Sequence, residues 1–143
     1  MTRASLAWTL AGLAACAPMP PAPDEVALER YGHAEALFAQ GRYSEAAPHY
    51  EFCVSARDRF KDAYYRLAYC QESTGQEGKA VATLERLLRV DKQDEYALKH
   101  LWRFYVHRGF AAQALDAVRR LQELYPSDAA LKAEAARLEK LSK

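Results

Sequence analysis

From Lys61 to Val90 the chain alternates apolar and polar positions in the three-to-four-residue rhythm that gathers side chains on one face of an α-helix. The stretch reads as two amphipathic helices joined at Gly75. Shifted by 34 residues in either direction, it lands on a copy of itself: Gly41, Gly75 and Gly109 are so spaced, as are Ala46, Ala80 and Ala114. Tyr50, Leu84 and Val118 form a third series in the same register, and Cys53, Leu87 and Leu121 a fourth. Four series in one phase predict an all-α solenoid of stacked helical hairpins, each too small to bury its apolar face without a neighbour.

Local signals give the expected boundaries. Asp24 is a natural N-cap for the first helix, and Gly41 is suited to end it in the left-handed conformation. Ser44 is expected to cap the second helix, with Gly78 and Asp94 at cap positions in the later repeats. Pro48, four residues past Ser44, is then expected where an amide hydrogen still lacks a helical partner. After Pro126, Ser127 opens a last helix whose Leu131, Ala135 and Leu138 make one stripe. Its other faces are polar, as the closing helix of a solenoid must be.

The first fifteen residues stand apart. Arg3 followed by the apolar run Ala4 to Ala15 has the layout of a secretory signal peptide and is shorter than the roughly 20 residues a bilayer span needs. Leu13, Ala14, Ala15 and Cys16 resemble the lipobox of bacterial lipoproteins. That resemblance implies cleavage before Cys16, lipidation of its thiol, and fatty acylation, palmitate included, of the new amine. Several acyl chains at about 0.8 kcal/mol per buried methylene make a lasting anchor. Ala17, where inner-membrane lipoproteins commonly carry Asp, implies the periplasmic face of the outer membrane. Residues 16–24 follow as a proline-rich tether, four prolines among the eight residues 17–24, about 25 Å long at roughly 3.1 Å per residue.

Removing residues 1–15 leaves 19 basic and 19 acidic residues, a neutral balance that argues against nucleic acid as a partner. The charge is polarised all the same: net −3 over residues 24–57, balanced over 58–91 and +2 over 92–125. Such a gradient orients a partner or stacks copies head to tail.

The repeat resembles the tetratricopeptide repeat, a 34-residue helix-turn-helix with small and large apolar residues at fixed places. The middle copy matches at Tyr64, Leu67, Ala68, Gly75, Ala80, Leu84 and Leu87, and the third at Leu98, Leu101, Tyr105, Gly109, Ala114, Leu121 and Pro126. The first fits at Ala34, Leu37, Gly41, Tyr43, Ala46 and Tyr50, but has Arg30 and His33 where the pattern takes large apolar groups. Trp102 stands where the family uses a small residue, so the third hairpin is expected to splay or the indole to reach the closing helix. The resemblance spans residues 25–126 as three repeats, about 27–60, 61–94 and 95–126, with residues 127–143 as a C-terminal capping helix.

In this family the first helix of each pair lines a concave groove that holds peptides or extended protein segments. Carried over by position, the groove comprises Tyr31, Glu35 and Phe38, then Tyr65, Arg66, Tyr69 and Glu72, then Tyr96, Lys99, His100, Arg103 and His107. Some of the tyrosines compete for a role in the core. Tyr31, Glu35 and Arg66 occupy places where carboxylate-clamping members carry Lys and Asn, which speaks against a chaperone-tail clamp.

Catalytic chemistry finds no support: there is no glycine-rich phosphate loop, H-E-x-x-H, C-x-x-C or G-x-S-x-G. His100 and His107 lie two turns apart, about 10 Å by helical rise, too far to share a metal, and no metal or cofactor is expected beyond the lipid on Cys16. Cys53 and Cys70 fall on adjacent elements, where an oxidising periplasm would let them form a disulfide; equally, each is an ordinary small core residue. The expected function is a non-enzymatic adaptor holding a segment of a cell-envelope assembly, secretion or pilus partner in its groove. The alternative is a self-associating spacer stacking through its repeats.

Overall fold

The computed structural model describes residues 23–142; the expected signal peptide, the expected lipidation site Cys16 and most of the expected tether lie outside them. Seven helices follow in order: α1 Pro23–Ala39, α2 Tyr43–Ala56, α3 Lys61–Ser73, α4 Glu77–Val90, α5 Glu95–Arg108, α6 Ala111–Leu124 and α7 Ala129–Leu141. Consecutive helices pack on one another, so the pairs α1–α2, α3–α4 and α5–α6 form three hairpins that α7 closes. None of the described helices is long and apolar enough to cross a membrane.

The same bend is built three times. Gly41, Gly75 and Gly109 have φ of 71°, 73° and 75°, and no atom within 4 Å would obstruct a Cβ at any of them. Left-handed backbone alone therefore calls for glycine. In each bend the glycine amide donates to the carbonyl three residues back, at 2.9, 2.9 and 3.2 Å. The next amide reaches five residues back, at 3.0, 2.7 and 2.8 Å, so both bonds satisfy carbonyls that the ending helix leaves free. The other three periodic series then meet in the core. Ala46, Ala80 and Ala114 are buried at the helix crossings, and Tyr50, Leu84, Val118, Cys53, Leu87 and Leu121 fill the layer around them. Burying a side chain of this size stabilises by about 1.5–3 kcal/mol, a gain each hairpin obtains only with its neighbour in place.

The turn geometry corrects several expected boundaries. The residue after each bend glycine becomes the N-cap of the next helix: Arg42, Gln76 and Phe110, none with a side-chain cap bond. Ser44 and Gly78 accordingly fall inside α2 and α4, and Pro48 lies beyond the first turn of α2. There its missing amide hydrogen leaves the Ser44 carbonyl without its usual donor. The helix nevertheless runs unbroken, held by the buried Ala46, Tyr50, Cys53 and Val54. Asp94 does cap α5, accepting from the Ala97 amide at 3.0 Å. The last helix is capped by Asp128, not Ser127, with bonds to the Ala130 and Leu131 amides. At the other end α1 already begins at Pro23, so Asp24 sits in its first turn and the tether loses its final two residues to helix. An acid there still favours the positive end of the helix dipole.

Trp102 does not splay the third hairpin, for α5 and α6 pack as closely as α2 and α3. Its indole faces α7. There Arg137 holds the Glu134 carboxyl below the ordinary carboxylate range. The looser junction is between repeats two and three. Here α4 and α5 pack less closely than any other consecutive pair, leaving a cleft of about 500 Å³ lined by Leu88, Leu98, Leu101 and Ala117.

Candidate partner-binding groove

The 34-residue period places equivalent residues at equal heights on α1, α3 and α5. Tyr31, Tyr65 and Lys99 form one rung, and Glu35, Tyr69 and Arg103 the next. Between these helices lies a cradle of about 680 Å³ lined by Tyr31, Phe38, Asp62, Tyr65, Arg66, Tyr69 and Tyr96. Six of the seven are residues expected from sequence. The seventh, Asp62, was legible only as an acid one turn before Arg66. A second hollow, about 520 Å³, adds Lys61, Gln93, Asp94 and Glu95 around Tyr65, Tyr96 and Lys99.

The aromatic rings stack across repeats. Tyr65 meets Tyr96 with centroids 4.4 Å apart, and His100 stacks on Tyr96 at 4.3 Å. Phe38 contacts Tyr69 at 5.2 Å, and the Arg66 guanidinium covers Phe38 at 4.4 Å. Tyr31 leans on Phe60 at 4.6 Å and on the buried Tyr50 at 5.6 Å, so it is half core and half groove wall. Tyr69 is the open one, at 44% exposure.

Much of the groove's polarity is already committed. Glu35 accepts from the Tyr50 hydroxyl at 2.5 Å and pairs with Arg66 at 2.9 Å, tying all three helices of the first turn of the solenoid. It is therefore a bracing residue more than a free contact. The Tyr65 hydroxyl donates to Asp94 at 2.6 Å, and burial first, then that carboxylate, pushes its ionisation well above the ordinary tyrosine range. Lys99 pairs with Glu95, which also accepts from Tyr125 at 2.5 Å. Toward the end of α5 this changes. Arg103 and His107 have no ion-pair partner among the described residues and line a cleft of about 360 Å³ with Val81, Leu84, Phe104 and His100. Of the two acids of that cleft, Glu77 pairs with Arg108, whereas Glu72 has only the His100 imidazole opposite it, Nδ1 at 3.6 Å. The groove is thus aromatic over α1 and α3, with the acid Asp62 at its edge, and cationic along the later turns of α5.

Other chemistry is not assembled here. Among the described residues no three His, Cys, Asp or Glu side chains converge as metal ligands. Cys53 and Cys70 are both buried and unbridged. The Cys53 thiol turns to the Ala27 carbonyl of α1 at 3.2 Å instead of toward α3. Burial raises both thiols, Cys70 to about 11, so neither is a ready nucleophile.

Residues 37–101 match the family model for the tetratricopeptide repeat. The fold is a tetratricopeptide-repeat solenoid. The C-terminal tetratricopeptide-repeat domain of a Plasmodium falciparum FK506-binding protein superposes with a TM-score of 0.59, covering 82% of this chain and 89% of that one at 17% identity. A peroxisomal targeting signal receptor of Yarrowia lipolytica is 31% identical over 93 residues, 64% of this chain. The match takes in only 16% of that receptor's length.

Proposed function

We propose that the protein is a non-enzymatic adaptor that holds an extended segment of another protein across α1, α3 and α5. The observation that carries this reading is the open Tyr69 on the aromatic cradle, together with Arg103 of the next repeat, which has no ion-pair partner among the described residues. Rigid aromatic rings give large contact area at low entropic cost, and an unpaired guanidinium gives direction to it. The match to a targeting-signal receptor agrees with a protein-binding role. The first sixteen residues support a lipid anchor on Cys16 and a place at the periplasmic face of a bacterial outer membrane, with an envelope assembly or secretion component as partner.

The test is affinity capture from envelope extracts with wild type, Tyr69→Ala and Arg103→Ala, alongside Cys16→Ser fractionated between membrane and soluble pools. The reading expects partner bands that weaken in both groove variants, and a Cys16→Ser form that leaves the membrane. Bands indifferent to both substitutions would mean that another surface binds.

A second reading, a self-stacking spacer, is favoured by the exposed Leu28 on α1 and Leu141 on α7, at 54% and 62%, together with the charge gradient. Salt-sensitive oligomers in sedimentation velocity support it; a monomer at every concentration removes it.

A further inference from the structure

We infer that the partner segment places a basic side chain, arginine or lysine, in the aromatic cradle against Asp62; this rests on the adaptor reading above and names the chemistry its groove selects. Asp62 lies in the first turn of α3 and lines the cradle with Tyr31, Tyr65 and Tyr96. It is exposed, and no cation among the described residues pairs with it. Its charge reaches the rings beside it. Burial foremost, then Glu35 and Asp62 among the acids, raises the ionisation of Tyr31, and burial, then Asp94, then Asp62 does the same for Tyr65.

The protein's own side chains show what suits a ring next to a carboxylate. Arg66 lies over Phe38 at 4.4 Å while pairing with Glu35 at 2.9 Å, and Lys99 lies over Tyr125 at 5.8 Å while pairing with Glu95. In both, one ring and one acid share a cation. Asp62 with Tyr31 and Tyr65 offers ring and acid a third time, and the cradle has no cation to spare: Glu35 and Asp62 against Arg66 leave it a net −1. The adjoining hollow, which shares Tyr65 and Tyr96, has none either, since Asp91 and Asp94 hold Lys61 and Glu95 holds Lys99. The cationic end of α5 belongs to another cleft that has no lining residue in common with the cradle. A basic head from the partner pairs with Asp62 while its aliphatic stem lies along the rings. Other side chains fare worse. A carboxylate is repelled by Asp62 and Glu35, and an apolar group strips water from Asp62 without replacing its hydrogen bonds.

Fluorescein-labelled decapeptide pools with Arg, Lys, Gln or Glu at a central position and neutral residues elsewhere test this by anisotropy on the full chain at low salt. The Arg and Lys pools are expected to bind about tenfold tighter than the Gln pool, with the Glu pool weakest. Asp62→Asn should bring the Arg and Gln pools level, whereas Asp62→Glu should keep them apart, with circular dichroism confirming that both variants are folded. Equal binding of the Arg and Gln pools by wild type, or a preference for Glu, overturns the inference. So does an Arg preference that survives Asp62→Asn, the result expected of an acid that serves only the positive end of its helix. In these cases the adaptor reading stands wherever Tyr69→Ala weakens every pool. If no pool binds, the inference falls, and the adaptor reading is judged separately by whether Tyr69→Ala reduces capture from envelope extracts.

Discussion

The Tyr65 hydroxyl donates to Asp94 Oδ2 at 2.6 Å, while Asp94 Oδ1 accepts from the Ala97 amide at 3.0 Å, so one carboxylate joins the groove wall of repeat two to the start of repeat three. Lys61 adds a third tie at 3.3 Å, and the carboxylate is 3% exposed. This junction spans the place where α4 and α5 pack least. Asp94→Ala removes a helix cap and strands a half-buried hydroxyl, and should lower stability by about 3 kcal/mol in urea titration. Hydrogen exchange should then rise in α5, α6 and α7 ahead of α1 to α3, because the solenoid is severed at its weakest seam. Uniform deprotection of the whole chain would show instead that the seam is not a boundary of cooperativity.

Gly41→Ala, Gly75→Ala and Gly109→Ala should each cost about 1 kcal/mol, and the same within ~0.5 kcal/mol. Their φ values agree within a few degrees, and nothing near any of them would touch the new methyl, so only backbone strain is added. Asn at Gly75 should cost less than Ala, because Asn tolerates the left-handed conformation better. Three unequal losses in chemical denaturation would show that the bends differ in more than backbone geometry.

The repeat phase was readable because each series answers to one physical demand: glycine at a left-handed bend, alanine at a close crossing, a larger apolar group behind it. Six residues of the aromatic cradle were readable through the resemblance to the tetratricopeptide repeat, whose groove positions carry over onto the first helix of each pair. Helix starts other than the Asp94 cap of α5 were not readable. Ser44 and Gly78 look like caps in isolation, but the bend that ends one helix already fixes Arg42 and Gln76 as the first cap of the next. Which polar groups stay free was equally hidden. Glu35 and Tyr65 look open on a helical wheel, and both are occupied by partners 15 and 29 residues away, Tyr50 and Asp94. Tyr65→Ala therefore confounds binding with stability, and Tyr69, exposed and tied to no carboxylate, is the cleaner groove variant. The direction of a buried thiol lies at the same level: Cys53 faces α1 rather than α3, which no spacing reveals.

Stability should fall as pH drops below about 6.5, before any carboxylate titrates. His49 of α2 packs its ring edge-on to His33 of α1 at 4.7 Å, and its Nδ1 is buried without a hydrogen-bond partner. Desolvation first, then His33 and Arg30, lower its proton affinity in the folded chain. The unfolded chain thus takes the proton first as pH falls, so the stability present above the unfolded value is lost on the way down to the folded one. Asp91, Glu95 and Glu134 are also lowered, but their contribution is present above the ordinary carboxylate range and lost only below about pH 4.5. Melting curves from pH 7.5 to 5.5 should show the decline in wild type and a flatter profile in His49→Gln. An unchanged slope in that variant would assign the decline elsewhere.

Trp102→Phe should leave stability unchanged or raise it by up to about 1 kcal/mol, although it deletes ring atoms from a partly buried site. The indole Nε1 is buried and makes no aligned hydrogen bond, even though it faces Glu134 across the α5–α7 gap. Glu134 is better served by Arg137, which meets it with two bonds at 2.7 and 2.5 Å. Phenylalanine keeps a ring between α5 and α7 and removes a donor whose desolvation is poorly repaid. A loss above about 1 kcal/mol in urea titration would mean that the indole N–H does bond Glu134 in solution. The large residue at this small-residue position would then be a clasp between the third repeat and the closing helix.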